Sequence, residues 1–133
     1  MLLKQDFLLD PQGNPSWIIG GIATAHHGLA LDPDEINPDQ VLQAVRDNAL
    51  PDLHSDNVRP CAPDTFSFLE TALNELNSTK NSTGLVAVEN TPLGLRDGQP
   101  GVDHLRTALT LGAHVITANK GPAAFAHREL VDL

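Results

Sequence analysis

A lysine stands where a predicted strand gives way to a predicted helix near the end of the chain. Residues 113–117 are mostly apolar and β-branched, as in a buried strand, and Gly121 and Pro122 open a helix with Pro122 at its first position. Lys120 lies between them, so its ammonium faces the positive end of the helix dipole. That position does not favour stability, so binding an anionic or carbonyl group is one interpretation. An ordinary exposed lysine is the other, and the spacing alone leaves both open.

Two more predicted strands end in polar residues. The apolar run over residues 17–23 is followed by residues 24–28, and the run over residues 85–88 is followed by residues 89–91. In open α/β sheets, ligands bind beyond the carboxyl ends of the strands. The sequence therefore predicts a binding site at these two places and at residues 117–120.

Helices are predicted between the strands, and near-continuous apolar strands separated by helices favour a parallel sheet covered on both faces. Pro38 suits the first turn of a helix, Asp64 suits an N-cap, and Gly112 suits the position after a helix end. The predicted helices cover residues 1–10, 38–48, 65–77, 101–111 and a final segment from 121. The connection over 49–63 is predicted to be irregular, with a short strand near Val58 as an open alternative. The fold class is open α/β, and it begins within a repeating unit because no strand precedes the first helix.

Charge and composition exclude several classes of function. The 133 residues carry a formal net charge of −9, from 17 acidic and 8 basic residues. Such a chain repels nucleic-acid phosphates and anionic membrane surfaces, so neither is an expected partner. No leader sequence is evident at the amino terminus, and we expect a cytoplasmic protein. Cys61 is the only cysteine, which excludes an internal disulfide and a paired-cysteine metal motif.

Histidines are the remaining candidates for a metal site. His26 and His27 are adjacent and His54 is distant in sequence, with no acidic cluster to complete a set of ligands. We therefore predict no metal site.

The polar strand ends resemble one enzyme family. Residues 115–120 (VITANK) resemble the V-[VI]-T-A-N-K signature of homoserine dehydrogenases. Residues 88–91 (VENT) resemble the strand end that precedes a G-x-P loop in that family, and residues 98–100 (GQP) stand in that loop. Residues 104–114 follow the family's helix into the signature strand, and residues 22–33 are similar to its second strand and exit.

The resemblance implies a specific reaction and site. Homoserine dehydrogenases interconvert homoserine and aspartate 4-semialdehyde by hydride transfer with NAD or NADP, in threonine and methionine biosynthesis. Thr91 matches a threonine that contacts the cofactor near its nicotinamide end, and Asn90 adjoins it. Lys120 matches a lysine at the junction of nicotinamide and substrate, which makes it both a cofactor-binding and a catalytic candidate. The resemblance also implies a homodimer when the enzyme is complete.

Two departures from the family shape the expected fold. The family begins with a strand and a G-x-G-x-x-G turn that binds the pyrophosphate, whereas Gly20 and Gly21 lie inside a predicted strand with the wrong spacing. We expect an incomplete Rossmann-like domain over residues 1–133, without the first strand, the glycine-rich turn and the substrate and dimerisation domain. On this interpretation the isolated chain is inactive.

The choice between NAD and NADP depends on whether a carboxylate stands at the end of the second strand. An acidic residue at the end of the second strand would favour NAD, but residues 23–27 contain none. This favours NADP, with His26 or His27 near the 2′-phosphate, while two ordinary loop histidines are the alternative. Other hypotheses are a non-catalytic Rossmann remnant or interaction module, and a different Rossmann-type dehydrogenase acting on a small amino-acid-derived substrate.

Overall fold

The computed structural model describes residues 10–13, 16–58, 64–78 and 84–133. The chain divides into two compact units, Met1–Ser55 and Asp56–Leu133. The helix predicted over residues 1–10 falls almost wholly outside the described residues, and Cys61 lies outside them too. Among the helices that are described, none is long and apolar enough to cross a membrane.

The first unit contains an antiparallel hairpin. Strand β1 (Gly21–Thr24) pairs with β2 (Gly28–Leu31) through a three-residue turn. The Thr24 hydroxyl donates to the carbonyl oxygen of Gly28 at 3.1 Å and accepts from the His27 N–H at 2.9 Å. Gly28 has φ +85°, a conformation that residues with a Cβ rarely adopt. The side chain of Thr24 and the backbone of Gly28 therefore reverse the chain directly after β1.

This hairpin corrects two predictions. The strand expected over 17–23 is shorter and lies over Gly21–Thr24, and the segment from Gly28 expected as a loop is β2. Because β1 pairs with β2 in antiparallel orientation, residues 24–28 form a hairpin turn and not the end of a parallel strand. The apolar residues 29–31 are enough for a second strand once the turn brings them beside β1.

A helix and a 3-10 turn complete the first unit. Helix α1 (Pro38–Arg46) begins with Pro38 at its first position, as predicted, and the Asn37 side chain accepts from the Asp39 N–H at 2.9 Å. A 3-10 helix (Leu50–Leu53) follows within the segment predicted to be irregular. The small core of this unit is formed by buried Ala30, Ile36 and Leu50, with partly buried residues of β1, α1 and the 3-10 helix around them.

The second unit contains the helix predicted over residues 65–77. Val58 is buried in a bend and forms no strand. Helix α2 (Thr65–Ser78) is capped as expected, since the Asp64 carboxylate accepts from the Ser67 N–H at 2.9 Å. This bond is the main reason why the pKa of the Asp64 carboxyl is lowered. The residues of α2 that are buried are Phe68, Ala72 and Leu73. Phe66, at the start of the same helix, is 39% exposed.

Two parallel strands and a helix between them form the centre of the second unit. Strand β3 (Val86–Glu89) pairs in parallel with β4 (His114–Thr117), and α3 (Gly101–Thr110) connects them. Helix α3 ends as predicted, with Gly112 at φ +82°. The core here consists of Leu73, Ala108 and Ala113, packed against partly buried residues of both strands. Mixed α/β structure with a small parallel sheet is compatible with part of a Rossmann-like fold.

Within the described ranges, the side chains on one face of this sheet are largely exposed, whereas the prediction had helices on both faces. Side chains alternate along a strand, so Ala87 and Val115 face the core while their neighbours face away. Val86, Val88 and Ile116 are 56%, 72% and 60% exposed. Strand β3, expected to be buried on both sides, is therefore buried on one.

The chain ends in two short helices. Helix α4 (Lys120–Phe125) has Asn119 as its N-cap. Pro122 therefore occupies the third helical position, whereas the prediction placed it at the first. Helix α5 (His127–Val131) follows after a break at Ala126. Arg106 joins α3 to α5, because its Nε donates to the Glu129 carboxylate at 2.5 Å.

Candidate site at the carboxyl ends of two parallel strands

A buried glutamate lies at the end of β3. The register of the sheet places Glu89 opposite Thr117, the last residue of β4. The Thr117 hydroxyl donates to Oε2 of Glu89 at 2.5 Å. Only 6% of Glu89 is exposed, so its charge must be balanced by hydrogen bonds.

Thr91 satisfies the other carboxylate oxygen. The chain turns after β3, so the Thr91 N–H donates to Oε1 of Glu89 at 2.7 Å. The Thr91 hydroxyl donates to the same oxygen. The carboxylate therefore fixes both the backbone and the side chain of Thr91.

Asn119 joins the two strand ends. Its backbone N–H donates to the Thr117 hydroxyl at 2.9 Å, and its Nδ2 donates to the Thr91 carbonyl at 3.2 Å. Its Oδ1 accepts from the Gly121 N–H at 2.9 Å, which caps α4. Asn119 is 7% exposed. We call Glu89, Thr91, Thr117 and Asn119 the strand-end network.

The network keeps its carboxylate charged. Burial on its own would raise the pKa of the Glu89 carboxyl, but hydrogen bonds from Thr117, Thr91 and Asn119 outweigh burial and hold that pKa below its ordinary value. Glu89 is therefore ionised at neutral pH. An ionised carboxylate only accepts hydrogen bonds, which fixes the direction of each bond that it receives.

A buried histidine lies on α3 in the field of this carboxylate. Burial lowers the pKa of His104, and attraction from Glu89 and Asp103 only partly opposes that effect. The His104 ring also packs against Phe66, with ring centroids 5.1 Å apart. His104 is therefore a neutral side chain at neutral pH, held between α2 and α3.

Glycines allow the loop before α3 to approach the first turn of α4 closely. A Cβ at Gly98, which has φ +74°, would lie 2.9 Å from the backbone of Gly121. A Cβ at Gly121 would lie 2.7 Å from the Cα of Gly98, and one at Gly101 would lie 2.8 Å from Nδ2 of Asn119. The two backbone segments are therefore in direct contact beside the network.

The predicted site residues Asn90, Thr91 and Lys120 differ from one another in their surroundings. Thr91 is partly buried and belongs to the strand-end network. Lys120 is exposed, is the first residue of α4 and directly follows Asn119, whose side chain bonds Thr91. Asn90 is exposed at the end of β3, and residues 24–28 lie in the hairpin turn of the first unit. The roles of Asn90, Thr91 and Lys120 in binding stay predictions.

Three residues of the network, Glu89, Thr117 and Asn119, lie in the segments predicted to bind a ligand but were not singled out as site residues. Glu89 follows Ala87 by two positions, so the alternation of a strand puts both on the buried face. An ionisable side chain on that face is a signal that it is held by specific partners. Asn119 carries a weaker signal, since asparagine is a common N-cap before a helix.

Across the described ranges, no three His, Cys, Asp or Glu side chains come together as metal ligands would. Of the histidines considered for a metal, His54 accepts a hydrogen bond at Nδ1 from the Leu31 N–H at 3.2 Å. That interaction gives His54 a structural role between β2 and the segment after the 3-10 helix.

Comparison with known proteins gives a partial match. Over 47 residues, which are 35% of this chain, the sequence is 43% identical to a homoserine dehydrogenase of Methanocaldococcus jannaschii. The matched segment spans only 14% of that protein. No family model and no solved structure matches the chain. The similarity suggests the homoserine dehydrogenase family.

Proposed function

We propose that this chain is part of the nucleotide-binding domain of a homoserine dehydrogenase, and that the strand-end network holds the nicotinamide end of NAD or NADP. The observation that carries the proposal is the network itself. It fixes Thr91 and the start of α4 beside each other at the carboxyl ends of two parallel strands, which is where open α/β sheets bind ligands. The partial match supports the choice of family.

Each site residue has a distinct proposed task. The bound nicotinamide supplies the hydride chemistry. Thr91 orients the ring through its hydroxyl, and Asn90 shapes the adjoining wall. Lys120 holds negative charge where cofactor and substrate meet. Because the matched segment is a small part of the relative, oxidation of homoserine to aspartate 4-semialdehyde is proposed for the complete enzyme, as a homodimer.

The residues present fit the nicotinamide end of a dinucleotide. The network offers a fixed hydroxyl and buried amide groups, and the glycine contacts leave backbone without side chains beside them. Either coenzyme is compatible with the strand-end network.

An NMR titration of the ¹⁵N-labelled chain with NADH and NADPH tests the site, because it detects weak binding residue by residue. We expect weak binding, with amide shifts centred on residues 90–91, 98 and 119–121, and no turnover. Lys120→Ala should weaken binding by about tenfold through loss of a charge-assisted hydrogen bond. Arg46→Ala removes the same charge from an exposed residue at the end of α1 and is the matched control.

Four results would contradict this proposal in different ways. Absent shifts, or shifts away from the strand ends, would favour the non-catalytic module. Equal affinities of the Lys120 and Arg46 variants would remove Lys120 from the site. Tight, saturable binding would contradict the interpretation of residues 1–133 as an incomplete domain. A longer protein that contains this segment could also be tested with dinucleotide and substrate. If it bound dinucleotide but oxidised another amino-acid-derived alcohol, a Rossmann-type dehydrogenase other than homoserine dehydrogenase would be favoured.

A further inference from the structure

The hydroxyl of Thr91 has its single proton committed to Glu89. A threonine hydroxyl has one proton to donate and two lone pairs that accept. In the structure the Thr91 hydroxyl bonds Oε1 of Glu89, and a carboxylate can only accept. The proton therefore points toward Glu89, and only the lone pairs of the Thr91 oxygen remain for another molecule.

The hydroxyl proton of Thr117, on the neighbouring strand, is also donated to Glu89. Its hydroxyl donates to Oε2 of Glu89 and accepts from the Asn119 N–H. Both carboxylate oxygens are thus engaged. Rotation of the Thr117 hydroxyl would remove its bond to Oε2, and rotation of the Thr91 hydroxyl would leave Oε1 with the Thr91 N–H alone. The burial of Glu89 makes such a loss costly, because little water reaches its oxygens.

We infer that Glu89 is a positioning residue that holds Thr91 in one rotamer and restricts its hydroxyl to accepting, so that Thr91 selects a ligand group that donates a hydrogen bond. This inference rests on the proposed function. The donor that fits is an amide N–H, such as that of the nicotinamide carboxamide. A ligand that offers only a carbonyl at this point would meet the lone pairs of the Thr91 oxygen and be disfavoured.

The first experiment measures threonine rotamers and needs no ligand. Three-bond couplings to the Cγ2 methyl groups of Thr91 and Thr117 report χ1. We expect single-rotamer values in the wild type and averaged values in Glu89→Gln, because an amide presents N–H groups where Thr117 or Thr91 must donate. Glu70→Gln, an exposed position on α2, is the matched control and should keep the wild-type couplings. Unchanged couplings in Glu89→Gln would overturn the inference.

The second experiment measures ligand polarity. NAD is compared with its 3-acetylpyridine analogue, whose ketone keeps the carbonyl but lacks the amide N–H. The wild type should bind the analogue roughly fivefold more weakly, the effect of one hydrogen bond. Thr91→Val should lose this preference and Thr91→Ser should keep it. Both variants retain Glu89, so they remain informative if Glu89→Gln does not fold.

The outcomes separate the inference from the proposed function. Equal binding of NAD and the analogue by the wild type overturns the donor selectivity even though dinucleotide binding stands. If neither dinucleotide binds, the proposed function fails, and the couplings alone decide whether Glu89 fixes Thr91. A preference that survives in Thr91→Val assigns it to another residue and overturns the inference.

Discussion

Glu89 and Thr117 end two neighbouring parallel strands, lie opposite each other in register, and are joined by a hydrogen bond of 2.5 Å between the hydroxyl and Oε2. The pairing couples the sheet to the site, since the carboxylate that bridges the strands also holds Thr91. Changes to this carboxylate should therefore affect stability in a way that depends on pH.

Glu89→Gln should lower the free energy of unfolding by about 1 to 2 kcal/mol at neutral pH, since hydrogen bonds to a charged acceptor are lost. The folded-state pKa of Glu89 lies below 4.5, so its stabilising contribution is present above that pH and is lost as pH falls through the folded-state value. The difference between wild type and variant should shrink in acid. Urea unfolding at neutral pH and at about pH 3.5 measures it. A deficit that is equal at both pH values contradicts the prediction, and Glu70→Gln should show no deficit at either.

His104 should make stability fall in mildly acidic solution. Its pKa is lowered below 6.5 in the folded protein, so the unfolded chain binds more protons between the folded-state value and 6.5. The free energy of unfolding therefore decreases as pH falls through that window. His104→Gln should flatten the slope there, whereas the exposed His114→Gln should keep it. Thermal unfolding in steps of pH checks this, and parallel slopes for wild type and His104→Gln would refute it.

Three glycine variants should differ in stability for separable reasons. Gly98→Ala combines a positive φ with a clash against the Gly121 backbone and should cost about 2 to 4 kcal/mol. Gly112→Ala has the positive φ in open space and should cost about 1 kcal/mol. Gly84→Ala has neither feature and should change stability by less than about 0.5 kcal/mol. Denaturant midpoints give the order, and equal losses at Gly98 and Gly112 would mean that the backbone contact contributes nothing.

Arg106→Gln should loosen the last helix of the chain. Arg106 joins Asp103 on its own helix and Glu129 on α5, and these side chains are exposed enough for salt to screen them. Amide hydrogens of α5 should exchange faster in the variant, while those of α3 should not. High salt should reduce the difference between variant and wild type. Arg128→Gln, on α5 itself, is the control, and a similar acceleration there would argue against a specific role for Arg106.

Much of the second unit was predictable from the sequence. The apolar spacing and Asp64 predicted α2, Gly112 marked the end of α3, and the two apolar runs at 85–88 and 113–117 became paired strands within one residue of their expected ends. These signals are local, since helix periodicity and caps act over a few residues. Two of the three predicted binding places, residues 89–91 and 117–120, lie side by side and are joined by the bond from Asn119 to Thr91. Their role in binding stays a prediction.

The rest depended on pairing between distant residues. The hairpin of β1 and β2 was missed because the run before Thr24 has equal character in a parallel or an antiparallel strand, and the turn bonds of Thr24 decide between them. The hydrogen bonds of Glu89 were missed because residue 117 lies 28 positions away and only the register brings it opposite. The exposure of Val88 was missed because an apolar run does not reveal how many faces are covered.

The contact between Gly98 and Gly121 holds the backbone of the loop before α3 against the backbone at the start of α4. Because backbone touches backbone there, an insertion in the loop cannot be absorbed by a side chain moving aside. Redesign of either stretch would have to alter both together, and natural variation at one position should be accompanied by compensating variation at the other.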